Sequence, residues 1–142
     1  MDPATVDTVL RRFFAASSPA RHPESLLRYE RVQAHLRAYL EEEAAARLDP
    51  DDQELVELER QFSPATAYCT LMGSRPLLRA LPGFLAPQSL LPDFHDRLAQ
   101  ISITSRLAQW LCSRRLVERE GSRQDVVLTR AAAEQARRSR AH

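Results

Sequence analysis

The sequence predicts a mainly α fold, an N-terminal helical bundle packed on a C-terminal helix–hairpin–helix unit. Three observations carry that expectation. Apolar residues recur at helical spacing through most of residues 1–91. Asp-Pro, His-Pro, Ser-Pro and Pro-Asp pairs stand where helices should begin. The last third reads as an amphipathic helix, two short apolar runs about a Gly-Ser turn, and an Arg-rich helix.

The first helix is expected to open at Asp2-Pro3 and to stop at Ser17-Ser18-Pro19. Val6, Val9, Leu10, Phe13 and Phe14 form its apolar stripe. His22-Pro23 starts a longer helix reaching about Arg47, with Leu26, Tyr29, Val32, Leu36, Tyr39 and Leu40 facing inward. Its end, Glu41–Glu43 and Ala44–Ala46, is strong helix material with little to bury and is expected to project into solvent. Asp49-Pro50 opens a third helix whose inward face is Leu55, Leu58 and Phe62. Ser63-Pro64 is expected to cap a short helix, AYCTLM, closed by Gly73. Prolines at 76, 82 and 87 limit residues 75–91 to short helical turns, an apolar connector with its leucines and Phe84 packed.

Pro92-Asp93 begins the next helix, with Phe94, Leu98 and Ile101 on one side. The inward set then changes to Ile103, Leu107, Trp110 and Leu111, which implies a turn near 101–105. No Gly or Pro marks that turn, so one unbroken helix over 93–115 is the competing reading. Leu116–Glu120 and Asp125–Thr129 flank Gly121-Ser122-Arg123-Gln124 as two strands would flank a turn. The expected units are 1–91, a bundle with its connector, and 92–142. The expected core includes Leu10, Phe13, Phe14, Leu36, Leu40, Phe62, Leu98, Leu107, Trp110 and Leu111.

Composition bounds the function. The chain has 142 residues, 44% of them hydrophobic, and a net charge of +1. All 20 basic residues are Arg, so arginine usage by itself does not mark a phosphate surface. Residues 1–91 carry ten Arg against thirteen acids, and residues 92–142 carry ten Arg against six acids. The basic half thus coincides with the helix–hairpin–helix unit. Two cysteines without CxxC spacing read as buried free thiols of a cytoplasmic protein. No apolar run reaches the ~20 residues of a membrane span. Asp93, His95 and Asp96 are too close along one helix to share a metal. Three glycines, none clustered, leave no phosphate cradle, and no nucleophile–base pair is evident. A non-enzymatic protein without a cofactor is expected.

Helix, hairpin and helix in this order make a winged helix with a two-stranded wing. Residues 92–130 resemble the winged helix-turn-helix of MarR-like bacterial transcription regulators. The matching pieces are Ser105–Leu111, then Leu116-Val117-Glu118-Arg119, then Val127-Leu128-Thr129. Arg115 stands where that family usually carries Gly, and its wings are commonly longer. The resemblance implies a recognition helix over about residues 104–115. Ser102, Ser105, Arg106, Gln109 and Ser113 would face the major groove, with Arg114, Arg115 and Arg123 on phosphates. Duplex DNA is then the expected partner, and the protein a homodimeric regulator. Residues 8–42 faintly resemble the helical core-binding domain of tyrosine recombinases, but no matching catalytic Arg-His segment or terminal Tyr follows. The alternative is a helical protein-interaction or adaptor module that binds no DNA.

Overall fold

A computed structural model of the chain describes residues 4–17 and 22–139. The helix start expected at Asp2-Pro3, and the Ser18-Pro19 part of the first stop, lie outside the described residues. Seven α-helices are described: α1 (Val6–Ser17), α2 (Pro23–Tyr39), α3 (Pro50–Arg60), α4 (Ala67–Leu71), α5 (Ser74–Phe84), α6 (Phe94–Ser113) and α7 (Arg119–Arg138). Their buried side chains form one continuous core from Val6 to Ala136.

Two of the expected start signals act as side-chain caps. Ser63-Pro64 does not, since α4 begins at Ala67 behind Thr66, and Gly73 stands at the start of α5 rather than closing α4. Asp49 and Asp93 sit in extended backbone and accept the N–H groups of Asp52 and Asp96, each at 2.9 Å. Pro23 and Pro50 occupy first-turn positions, where a missing N–H costs no helical bond. The rod that begins at Pro23 runs on past Tyr39 with altered winding: a π-helical turn at Leu40–Ala44, then a 3-10 turn at Ala45–Arg47.

That end of the rod does not project into solvent. Leu40, Glu41, Ala44 and Ala45 are buried. Glu41 turns inward and its two carboxylate oxygens accept the backbone N–H groups of Tyr68 at 2.9 Å and Cys69 at 3.0 Å. These are N–H groups in the first turn of α4, whose own N-cap, Thr66, makes no side-chain bond. A carboxylate from a distant segment thus supplies the cap that the local sequence lacks.

Residues 75–91 hold more than short turns. In α5, Pro76 sits in the first turn and Pro82 near the end, so neither proline interrupts the middle. Leu77, Leu78, Leu81 and Phe84 are fully buried on one face, each stabilising by about 1.5–3 kcal/mol on burial. Gly83 lies where Tyr39 crosses α5, since a Cβ there would stand 2.1 Å from the Tyr39 hydroxyl.

The C-terminal third departs most from expectation. No strand exists among the described residues, where a single isolated bridge pairs Thr5 with Gly73. The two-stranded wing is therefore absent, and with it the winged helix. Residues 119–138, including the expected turn Gly121–Gln124 and the expected strand Asp125–Thr129, are one helix. A lone two-stranded ribbon would be marginal in water. As a helix, the same segment aligns Ser122, Val126, Thr129, Ala133 and Ala136 at alternating steps of four and three, and packs this stripe against α5 and α6. The buried hydroxyls are satisfied within the helix, Ser122 donating to Glu118 O and Thr129 to Asp125 O.

No turn divides α6. It is one helix over Phe94–Ser113, the competing reading of this segment. Its face changes because it is packed by several neighbours, α2, α5 and α7, rather than by one. Arg115, with φ of 56°, closes it in the left-handed conformation. Arg115 N–H reaches Cys112 O at 3.1 Å and Leu116 N–H reaches Leu111 O at 3.0 Å, the two bonds of a Schellman cap.

Candidate functional site

The surface feature with no structural explanation lies on α3. This helix has five acids, Asp51, Asp52, Glu54, Glu57 and Glu59, against one basic residue, Arg60. Val56 is its buried residue. Polar contacts hold the rest: Gln53 Nε2 donates to Ala46 O at 2.9 Å and Leu48 O at 2.7 Å, and Arg60 Nη2 donates to Glu41 O at 2.9 Å. A helix fastened in this way need not bury its apolar stripe.

It does not bury it. Leu55, Leu58 and Phe62 were expected inside, yet they are 53%, 58% and 77% exposed. Leu55 and Leu58, spaced i and i+3, lie together on the outer side of α3, and Phe62 stands in the turn just beyond its end. A shallow groove there is lined by Asp51, Glu54, Leu55, Glu57, Leu58 and Gln61. The arrangement is an apolar strip with a carboxylate margin. Single exposed apolar residues need no explanation, but here two of them line one groove with acidic residues along it. The sequence signal was present in the apolar spacing and was assigned to the wrong side, because the polar anchors that orient α3 lie in other segments.

The residues assigned to DNA reading fall otherwise than a recognition helix requires. Ser102, Arg106, Gln109 and Ser113 lie on the exposed side of α6. Ser105 and Gln109 share a crevice with Val126, Thr129 and Arg130, so α7 occupies part of the space a groove would need. Arg106 donates to the Tyr29 hydroxyl at 2.6 Å and stacks over that ring, which ties it to α2. Ser113 Oγ bonds Trp110 O, and Arg114 covers the Trp110 ring. Arg115 is the helix cap, and Arg123 stands on the exposed side of α7 rather than at a wing tip. Three of these eight side chains, Arg106, Ser113 and Arg114, make a structural contact among the described residues.

Two further core expectations are corrected. Leu98 is 44% exposed, and Trp110 is half-buried against Phe13, with ring centroids 5.7 Å apart. Leu10, Phe13, Phe14, Leu36, Leu40, Leu107 and Leu111 are buried as expected.

Ionisable groups outside α3 serve mainly to hold elements together. Arg31 grips Asp96 through Nε at 3.1 Å and Nη2 at 2.8 Å, and Arg28 Nε lies 3.4 Å away, joining α2 to α6. The hydrogen bonds from Arg31, with the charges of Arg31 and Arg28, hold the Asp96 carboxyl below its ordinary range. Buried Gln100 accepts Leu91 N–H and donates to Phe84 O and Ser89 O, and His35 also contacts Ser89 O. Cys69 is buried, and desolvation followed by the charge of Glu41 pushes its thiol up to about 12, so it is no nucleophile. Cys112 is exposed, against expectation.

Among the described residues, no three His, Cys, Asp or Glu side chains gather as a metal site would need. No helix there is long and apolar enough to cross a membrane. Comparison with known proteins found no matching family model, no matching curated protein and no matching solved structure.

Proposed function

We propose that the protein is a helical interaction module that docks a basic amphipathic helix of a partner protein onto the outer face of α3. The observation that carries this reading is the exposed pair Leu55 and Leu58 on α3, with exposed Phe62 just beyond the helix end. Its spacing is that of anchor positions in helix-on-helix recognition. Asp51, Glu54 and Glu57 along the groove select the partner's charge, because basic flanks gain and acidic flanks lose in the same pose. A second copy presenting its own α3 would bring carboxylate against carboxylate, so the charge pattern favours a different surface as occupant.

The test uses synthetic amphipathic helices with one apolar stripe and either Arg or Glu flanks, followed by fluorescence anisotropy against the full chain. The Arg-flanked peptide is expected to bind and the Glu-flanked peptide to fail. Leu58→Asp removes a contact worth about 2 kcal/mol on burial and should weaken binding about thirtyfold. Equal binding of both peptides, or an unaffected Leu58→Asp variant, refutes the reading. A dimer that Leu58→Asp converts to monomer would replace the partner helix with a second copy.

A further inference from the structure

A second site lies away from that groove, where the π-helical turn, the start of α3, α4 and α5 meet. The cleft there is lined by Tyr39, Arg47, Asp52, Tyr68, Arg79 and Gly83, among others, and holds about 500 Å³ including its open mouth. Three features of it lack a purpose within the fold. Tyr68 is 1% exposed as a residue, and its hydroxyl, which is not among the fully buried unpaired atoms, lines the cleft with no hydrogen-bond partner among the described residues. Burial, with Cys69, Tyr39, Glu41 and Asp52 nearby, pushes that phenol further up, so it remains a donor at neutral pH. The Tyr39 hydroxyl meets Arg47 Nη1 at a long 3.4 Å, and its own proton has no acceptor among the described residues. Finally, Arg47, Arg79 and Asp52 line one cleft, and no ion pair joins them among the described residues.

Two guanidinium groups suit a carboxylate, which Arg binds through its planar fork. The free carboxylate of Asp52 suits an ammonium group, which only donates, while the two phenol protons call for an acceptor such as the ligand's carboxylate. A phosphate would satisfy the arginines but would meet the charges of Asp49 and Asp52, which also border the cleft. We propose that this cleft binds a free α-amino acid, its carboxylate on Arg47, Arg79 and the tyrosine hydroxyls and its ammonium group on Asp52. Gly83 belongs to the same design, since any side chain there would displace the Tyr39 hydroxyl from the wall.

The experiment is isothermal titration of the full chain with each proteinogenic α-amino acid, and with acetate, methylammonium and inorganic phosphate, up to about 20 mM. At least one amino acid should give saturable one-to-one binding, with acetate and methylammonium weaker by about tenfold or more. Asp52→Asn and Arg79→Gln should each weaken that binding about tenfold while the melting temperature of the unliganded protein stays unchanged. The proposal is overturned if no amino acid binds, if acetate or phosphate binds as well as the best amino acid, or if both variants retain the parent affinity. Peptide docking on α3 is read separately, so either site can fail alone.

Discussion

Removing the buried Glu41 carboxylate should cost the fold far more than removing that of its exposed neighbour Glu42. In Glu41→Ala, the N–H groups of Tyr68 and Cys69 lose acceptors at 2.9 and 3.0 Å in a place water reaches poorly, since Glu41 is 8% exposed. An unsatisfied buried donor costs about 1–3 kcal/mol, and there are two of them. Relief of the desolvated charge offsets part of this. The net loss is about 3 kcal/mol, which for a chain of this length lowers the melting temperature by about 10 °C. Glu41→Gln keeps one acceptor and turns an NH₂ toward the other donor, so it should lose about 2 kcal/mol. Glu42→Ala, at an exposed neighbouring position, should stay within about 0.5 kcal/mol of the parent. Urea unfolding followed by far-ultraviolet circular dichroism gives all three values, and hydrogen exchange reports the Tyr68 and Cys69 amides directly. If Glu41→Ala matched Glu42→Ala and both amides stayed protected, the remote cap would be wrong.

Arg115→Gly should stabilise the protein by about 1 kcal/mol, because φ of 56° strains any residue with a Cβ; a fall in melting temperature would contradict the Schellman assignment. Gly83→Ala should destabilise by about 1–3 kcal/mol through the Tyr39 hydroxyl, and a Tyr39→Phe background should remove most of that loss in a double-mutant cycle. The Asp96 carboxyl is lowered on folding, so its contribution is present above the unfolded value of about 3.9 and is lost as pH falls through the lower folded value. Asp96→Asn should therefore flatten the acid limb of a stability–pH curve and leave its slope near neutral pH unchanged.

What could be read from the sequence was what a few adjacent residues decide. Asp49 and Asp93 mark helix starts because capping is a contact over three positions, and Pro23 does so because a first-turn proline is a choice of one residue. The stripe of α1 was legible for the same reason, since a 12-residue helix with one apolar face has one way to pack. The wing was misread because Val126-Val127 beside Gly121-Ser122 carries local β and turn preference. The helical alternative depends on Ser122, Thr129 and the alanines meeting α5 and α6, which no window of that length contains. The outer face of α3 failed in the opposite direction: its spacing was right, but its orientation is set by Gln53 and Arg60 bonding to carbonyls of residues 41–48. The cap from Glu41 spans 27 positions and left no signal that local reasoning could use.

The bond from Val6 N–H to Met72 O, beside the Thr5–Gly73 bridge, also sets an order of events during synthesis. Helix α1 leaves the ribosome first but finds its seat only after residues near 72 have followed. At about 5–20 residues per second, the Val6, Phe13 and Phe14 face waits several seconds without its native cover. Closure of the core waits longer still, because α7, which packs on α5 and α6, is made after the other six described helices. The nascent chain is therefore a better target for chaperones and proteases than the finished protein, and a ribosome stalled before residue 119 would display that apolar surface indefinitely.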